Sequence, residues 1–139
     1  MKFRIILMFV VLVLSFSLLS CIRLREINVE ISCDQFNENH HAKSEFQATV
    51  GDRIRVKLCS NPTTGFQWKY ETIGEIVLQE TDHKFVPPES EGVVGAAGKE
   101  VWIFKAVEKG TTQLRMEYSR PWEGGEQEEW TYTMTVTVE

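Results

Sequence analysis

The side chains of this 139-residue chain that could carry chemistry are three cysteines, three histidines and a scatter of carboxylates. Cys21, Cys33 and Cys59 lack the neighbourhood of a catalytic thiol. Asp82-His83 has no evident nucleophile to serve, and no Gly-x-Ser-x-Gly elbow occurs. His40-His41, with Asp34 and Glu38 nearby, has the composition of a metal site. Adjacent histidines on an extended chain point opposite ways, however, and no spaced third ligand follows. Gly92-Val93-Val94-Gly95-Ala96-Ala97-Gly98 is glycine-rich, but neither a Gly-Lys-Ser/Thr nor a helix start follows it, so it does not read as a phosphate cradle. No catalyst, metal or cofactor is expected from these residues.

What remains is chemistry of contact. Asn61-Pro62-Thr63-Thr64-Gly65 interrupts an alternating pattern with a turn: Asn-Pro opens it, Pro62 fixes φ and Gly65 allows a positive φ. The turn is uncharged, and its tip carries two β-branched threonines where small polar residues would do. The segment 92–98 is also uncharged, with Val and Ala between its glycines. Ser119-Arg120-Pro121-Trp122-Glu123-Gly124-Gly125 places a large aromatic on a loop. Trp122 either folds back to cap the domain or serves a partner, and Trp and Arg are the residues most enriched at binding hot spots. In a chain that is 25% charged, two nearly charge-free loops beside a Trp tip have the makeup of an interface centre. Glu123, Glu126, Glu128 and Glu129 read by default as a solvated acidic loop, one able to steer a basic partner at long range.

These loops need a frame, and the rest of the chain supplies strands. Period-2 alternation runs through Ile27-Val29-Ile31-Cys33, Phe46-Ala48-Val50, Ile54-Val56-Leu58 and Leu114-Met116-Tyr118. It is clearest in Trp130-Tyr132-Met134-Val136-Val138, whose other face is Thr131, Thr133, Thr135 and Thr137. Phe66–Tyr70 and Ile76–Thr81 are further candidates. Val101-Trp102-Ile103-Phe104 is apolar on both parities, as suits a central strand covered on both faces. Asp34 to Lys43 has no apolar face and reads as a loop or one short helical turn. About eight short strands separated by turns predict an all-β, antiparallel, immunoglobulin-like sandwich.

Composition agrees with one domain that has a real core: 42% of residues are hydrophobic and 11% aromatic, including 4 Trp. It excludes a multidomain enzyme, a collagen-like chain and a disordered tail. A net charge of −5 argues against a nucleic-acid partner, which calls for a basic patch.

The start of the chain reads as an address. Lys2 and Arg4 precede an apolar run from Ile5 to Leu14, and small residues lead to Cys21. The Ile5–Leu19 stretch is shorter than the roughly 20 residues needed to span a bilayer, which favours export over a retained anchor. Leu18-Leu19-Ser20-Cys21 resembles a prokaryotic lipobox, and Leu18 suits ordinary signal peptidase poorly. Residues 1–20 are therefore expected to be removed. Cys21 would be lipidated and would hold residues 21–139, a single domain, on the outer side of the cell membrane. Without the lipid, the domain would be secreted or periplasmic. Removal of Lys2 and Arg4 leaves 13 basic against 20 acidic residues, a net charge of −7. Cys33 and Cys59 then remain as an even pair in an exported protein, the setting of a disulfide. The alternative is two buried free thiols.

Asn61-Pro62-Thr63-Thr64-Gly65-Phe66, Gly95-Ala96-Ala97-Gly98 and Arg120-Pro121-Trp122 resemble, in order, the three signature loops of the chagasin family, protein inhibitors of papain-like cysteine proteases. The resemblance covers essentially the whole chain after the signal. It implies an immunoglobulin-like sandwich whose loops, here 60–66, 92–98 and 119–124, form a wedge in the protease cleft. Thr63 and Thr64 would lie across the catalytic cysteine and histidine, with the other two loops gripping the sides. Trp122 would be an anchor, and Arg120 a partner contact or a brace. Gly92-Val93-Val94-Gly95 shares the Gly-x-x-Gly spacing, so the register of the second loop stays open. The expected protein is a monomeric, reversible, tight-binding inhibitor that is not an enzyme. The other reading is an exported sandwich that binds another protein or a carbohydrate and keeps the loops only as turns.

Overall fold

The computed structural model describes residues 24–88 and 95–139. The chain runs β1 (Glu26–Ile31), α1 (Cys33–Glu38), β2 (His41–Ala48), β3 (Arg53–Ser60), a 3-10 turn (Pro62–Thr64), β4 (Gln67–Gly74), β5 (Leu78–Val86), β6 (Gly98–Ala106), β7 (Gly110–Ser119) and β8 (Trp130–Val138). Two four-stranded sheets pack face to face, in the orders β1-β3-β6-β5 and β2-β8-β7-β4. This is the expected immunoglobulin-like sandwich of eight strands.

Alternation decides the packing. Ile54, Val56 and Leu58 of β3 face Leu114 and Met116 of β7 and Tyr132, Met134 and Val136 of β8 across one hydrophobic core, and all eight are buried. The polar residues between them face outward, where Arg55 pairs with Glu26, and Lys57 and Lys99 with Glu30. In β6, Val101, Trp102 and Phe104 are buried and Ile103 is half-buried, as expected for a strand flanked on both sides.

Two features differ from the sequence-based expectation. The sheets are not wholly antiparallel: β1 runs parallel to β3, with Ile27 opposite Ile54 and Ile31 opposite Leu58, and β2 runs parallel to β8. Alternation reports which face is buried and is blind to strand direction. The segment 34–43 is also more ordered than a loop. Cys33 ends the alternation not as a strand residue but as the first residue of α1, and β2 already begins at His41. A capping box starts α1: the Gln35 amide donates to Ser32 Oγ (3.2 Å), and the Ser32 amide donates to Gln35 Oε1 (2.9 Å). Six residues are too few to display a 3.6-residue period, and Phe36 alone of α1 is buried.

α1 carries the chain from one sheet to the other. It is held down by Phe36, which stacks on Trp130 (5.1 Å between ring centres) and leans on Trp68 (5.4 Å). A disulfide joins Cys33 at its start to Cys59 near the end of β3, with 5.1 Å between the Cα atoms. The helix therefore lies beside the point where β3 gives way to the 61–66 turn.

Candidate functional site

Strand register brings the expected loops to one pole. Ser60 pairs with Gly98, Val86 with Lys99, Gln67 with Ser119 and Tyr118 with Trp130, so the connections β3–β4, β5–β6 and β7–β8 all emerge at the same end. Of the second connection, Gly95, Ala96, Ala97 and Gly98 are described, whereas 89–94 fall outside the described residues.

The first loop is built around Asn61. Its side-chain Oδ1 accepts from the Thr63 amide (3.3 Å) and the Thr63 hydroxyl (2.6 Å), and its carbonyl accepts from the Thr64 amide (3.1 Å) and hydroxyl (2.7 Å). The β-branched threonines thus earn their place through their hydroxyls, which close the turn on the cap residue. Asn61 Nδ2 donates to Gly95 O (2.8 Å), tying the first loop to the second. The turn ends at Gly65, whose φ of 80° is one that side-chain-bearing residues rarely adopt. Pro62, Thr63 and Thr64 are exposed, and Phe66 is buried.

Tyr118 supports this loop from below. Its hydroxyl accepts from the Asn61 amide (2.8 Å) and donates to the Asn61 carbonyl (3.3 Å). Its ring stacks on Phe66 (5.1 Å) and Trp130 (5.0 Å), and it leans on Trp68 (5.0 Å). Above Phe66 lies the Arg120 guanidinium, 4.4 Å from the ring centre and 5.8 Å from that of Trp122. Phe36, Trp130, Tyr118, Phe66, Arg120 and Trp122 therefore form one stack, from the disulfide-tethered helix to the tip of the third loop. Arg120 is a brace between loops, one of the two roles expected for it.

The third loop closes through Arg120 N donating to Glu126 O (2.8 Å) and Gly125 N donating to Trp122 O (2.9 Å), with Glu126 Oε2 lying 3.5 Å from Arg120 Nη1. Glu126 was expected to be part of a solvated acidic loop; its backbone and carboxylate both hold Arg120. Trp122 remains 52% exposed, yet its ring lies against Gly65, where a Cβ would come within 2.5 Å of it. It is held in place without being buried, so it does not cap the core. Pro121 beside it is exposed.

In the second loop only part of the glycine motif behaves as a loop. Gly98 is the first residue of β6 and is buried, and a Cβ there would collide with Val86 O and the Phe85 ring. Gly95 has a φ of 83°, and a Cβ there would meet no atom of the described residues within 4 Å.

The other polar groups near this pole are structural. Ser60 Oγ donates to Glu100 Oε1 (3.1 Å), and His83 Nε2 lies 2.9 Å from Glu100 Oε2 while its ring stacks on Trp102 (4.5 Å). The carboxylate sits between hydroxyl and imidazole, so His83 does not address Ser60. His40 Nδ1 meets Glu129 O (2.8 Å), and His41 Nδ1 meets Thr131 Oγ1 (2.9 Å). The two rings engage different partners rather than one shared centre.

The residues outside the three motifs that do most to hold them are Tyr118 and Glu126. Tyr118 read only as one more inward residue of a strand. Glu126 had no signal beyond its acidic neighbours. For α1, the Ser32-x-x-Gln35 spacing was a usable signal.

Known proteins agree with this arrangement. The model of the Chagasin family peptidase inhibitor I42 matches residues 47–136, well over half of the chain. Chagasin from Trypanosoma cruzi is 33% identical over 88 residues, covering 60% of this chain and 79% of its own length. Amoebiasin-2 from Entamoeba histolytica is 31% identical over 90 residues, covering 65% and 73%. Among solved structures, a cysteine protease inhibitor from Entamoeba histolytica superposes with a TM-score of 0.64 at 24% identity, covering 84% of this chain and 98% of its own. PbICP-C, solved in complex with falcipain-2, gives 0.57 at 14% identity, covering 83% and 99%. At those identities the structural likeness speaks for the fold. The sequence match runs from the end of β2 into β8 and takes in all three loops, and on that ground the chain belongs to the chagasin family of peptidase inhibitors.

Proposed function

We propose that this chain is a reversible, non-catalytic inhibitor of papain-like cysteine proteases. Its loops 60–66, 92–98 and 119–124 would fill the active-site cleft. The observation that carries this reading is Trp122: a half-exposed aromatic fixed over Gly65 by Arg120, at the pole where its loop meets two nearly uncharged ones. The contact set is Asn61, Pro62, Thr63, Thr64, Gly65 and Phe66 of the first loop, Gly95, Ala96, Ala97 and Gly98 of the second, and Arg120, Pro121 and Trp122 of the third. Within it, Phe66 and Gly98 act from beneath the surface.

The same geometry explains how such a loop resists cleavage. A protease cuts a carbonyl aligned with its nucleophile and aimed at its oxyanion hole. Asn61 O and Pro62 O instead accept bonds inside the turn, from Thr64 and Gly65 respectively. The 3-10 backbone of Pro62–Thr64 holds these peptides away from the extended form a substrate presents. Because the loop is ordered before it binds, little ordering entropy remains to be lost on binding.

We also read residues 1–20 as a removed signal and Cys21 as an acylated N-terminus that holds the inhibitor on the outer side of the membrane. These residues lie outside the described ones. Mass spectrometry of the mature N-terminus tests this: a start at Cys21 carrying acyl mass supports it, and any other start or an unmodified Cys21 removes the anchor.

Titration of papain with the oxidised domain tests the inhibitory function. Stoichiometric loss of activity, recovered on dilution, is the expected result. No loss at micromolar inhibitor would instead make the loops plain turns of a module that binds another protein or a carbohydrate.

A further inference from the structure

The pole opposite the loops is apolar. There the turns are tied into one platform by backbone bonds: Gly51 N donates to Ala106 O (2.8 Å), Ala106 N to Asp52 O (2.9 Å), Val107 N to Val77 O (2.9 Å) and Glu75 N to Thr111 O (3.4 Å). From this platform Val50 (43% exposed), Ile76 (77%) and Val107 (41%) project into solvent, and Leu24 (62%) lies against Gly51. One exposed aliphatic is ordinary. Four on the turns and chain entry of one end are not what turn chemistry selects, because Gly, Pro, Asn, Asp and Ser close turns without them. Around these residues Arg25, Arg53 and Lys109 stand against Glu75, Glu108 and Glu139, so no strong field of either sign surrounds the patch.

The occupant follows from where the chain enters. Leu24 stands at this pole, and Cys21 precedes it by three residues, a reach of about 10 Å at most. β3 runs from this pole to the loops, Arg53 to Ser60, a span of about 23 Å. We propose that the pole formed by Leu24, Val50, Ile76 and Val107 is a lipid-facing surface. An acyl group on Cys21 seats it against the bilayer, and the inhibitory loops point away into the solvent. Apolar side chains at the interface add to an acyl anchor and fix the orientation that a tether alone leaves free. The proposal rests on acylation of Cys21 as read above and adds the face that meets the lipid.

The test uses the full chain, purified in acylated form and reconstituted in phosphatidylcholine vesicles with or without nitroxide-labelled lipid. A fluorophore is attached at Ile76→Cys or, at the loop pole, at Asn37→Cys; both positions are exposed. Several-fold stronger quenching at position 76 than at 37, with added papain still fully inhibited, is the expected result. Equal quenching at the two positions, or none at 76, overturns the proposal. So does shielding of position 76 that grows with protein concentration in the absence of lipid, which would identify a second copy as the occupant. An unacylated N-terminus by mass spectrometry refutes the anchor, and the seating with it, while leaving protease inhibition standing. As a second variant, Val50→Glu with Val107→Glu, added to the chains that carry the probes, should even out quenching at positions 76 and 37 and leave inhibition unchanged.

Discussion

At the loop pole the turns are held by side chains: the Asn61 amide and two threonine hydroxyls, the Tyr118 hydroxyl, and a guanidinium between Phe66 and Trp122. At the opposite pole they are held by backbone bonds and two carboxylates, one of which, Glu75, accepts from the Thr111 amide (2.8 Å). Asp52 is buried and accepts from the amides of Arg25 and Thr49, both at 2.9 Å. The first arrangement stiffens a surface and leaves its apolar groups outside. The second ties down a platform from which only aliphatic side chains, Leu24, Val50, Ile76 and Val107, are offered as apolar surface. A binding pole and a closing pole therefore differ in what their turns are made of, and substitutions should separate the two.

The largest effect tests whether the disulfide belongs to either class. Cys33→Ala with Cys59→Ala should cost about 3 kcal/mol of stability for a crosslink of this span, read as the midpoint of chemical denaturation. The inhibition constant of the folded protein should barely move. A large rise in that constant would make the bridge part of the binding pole.

Trp122→Ala should weaken papain inhibition by about 2 kcal/mol or more, roughly thirtyfold, as truncation of a hot-spot aromatic does. Being half exposed, the side chain should leave the denaturation midpoint in place. An unchanged inhibition constant would take the anchor role from it.

Asp52→Asn makes the opposite prediction: a loss of about 1–2 kcal/mol in stability, from poorly satisfied buried amides, and no change in inhibition. Burial pushes the Asp52 carboxyl up, but hydrogen bonds from Thr49 and Arg25 outweigh it and leave the pKa below the usual carboxylate range. A depressed folded value means the stabilisation is fully present above the unfolded-state value of about 4 and is lost as pH falls through the folded one. Acid unfolding of the Asn variant should therefore be less steep in that window than that of the parent.

The smallest effect tests the Arg120 brace. Glu126→Gln removes a partly exposed ion pair, and about 0.5 kcal/mol is expected, seen as a two- to threefold rise in the inhibition constant. A change confined to stability would place Glu126 with the closing pole.

Much of this could be read from the chain before folding, and the reason lies in what each residue reports. Alternation marks burial, so the strands and Trp68, Trp102 and Trp130 were legible, as was the loop position of Trp122. Pro62 and Gly65 mark a turn because both restrict or require particular φ values. Direction was not legible: nothing in Ile27-Val29-Ile31 says that β1 joins β3 in parallel. Nor was the role of Tyr118, which depends on Asn61 and Phe66 arriving from the turn between the sheets, and nothing in the chain chose between the two roles the resemblance allows Arg120. The short helix was hidden by its length, although its capping residues stood in plain view.

The parallel pairing of β1 has a mechanical consequence. β1 runs from the far pole toward the loops and is hydrogen-bonded along its length to β3, at the edge of its sheet. Tension between the N-terminal side of the domain and a partner held by the loops acts along the strand axis. It loads those bonds together, in shear, whereas an edge pulled sideways would peel one bond at a time. Behind the strand, the Cys33–Cys59 bridge is a covalent stop: even if β1 slips, the chain from Cys33 onward stays fastened to the base of the first loop. A domain held by its first strand in this way latches under load instead of unzipping.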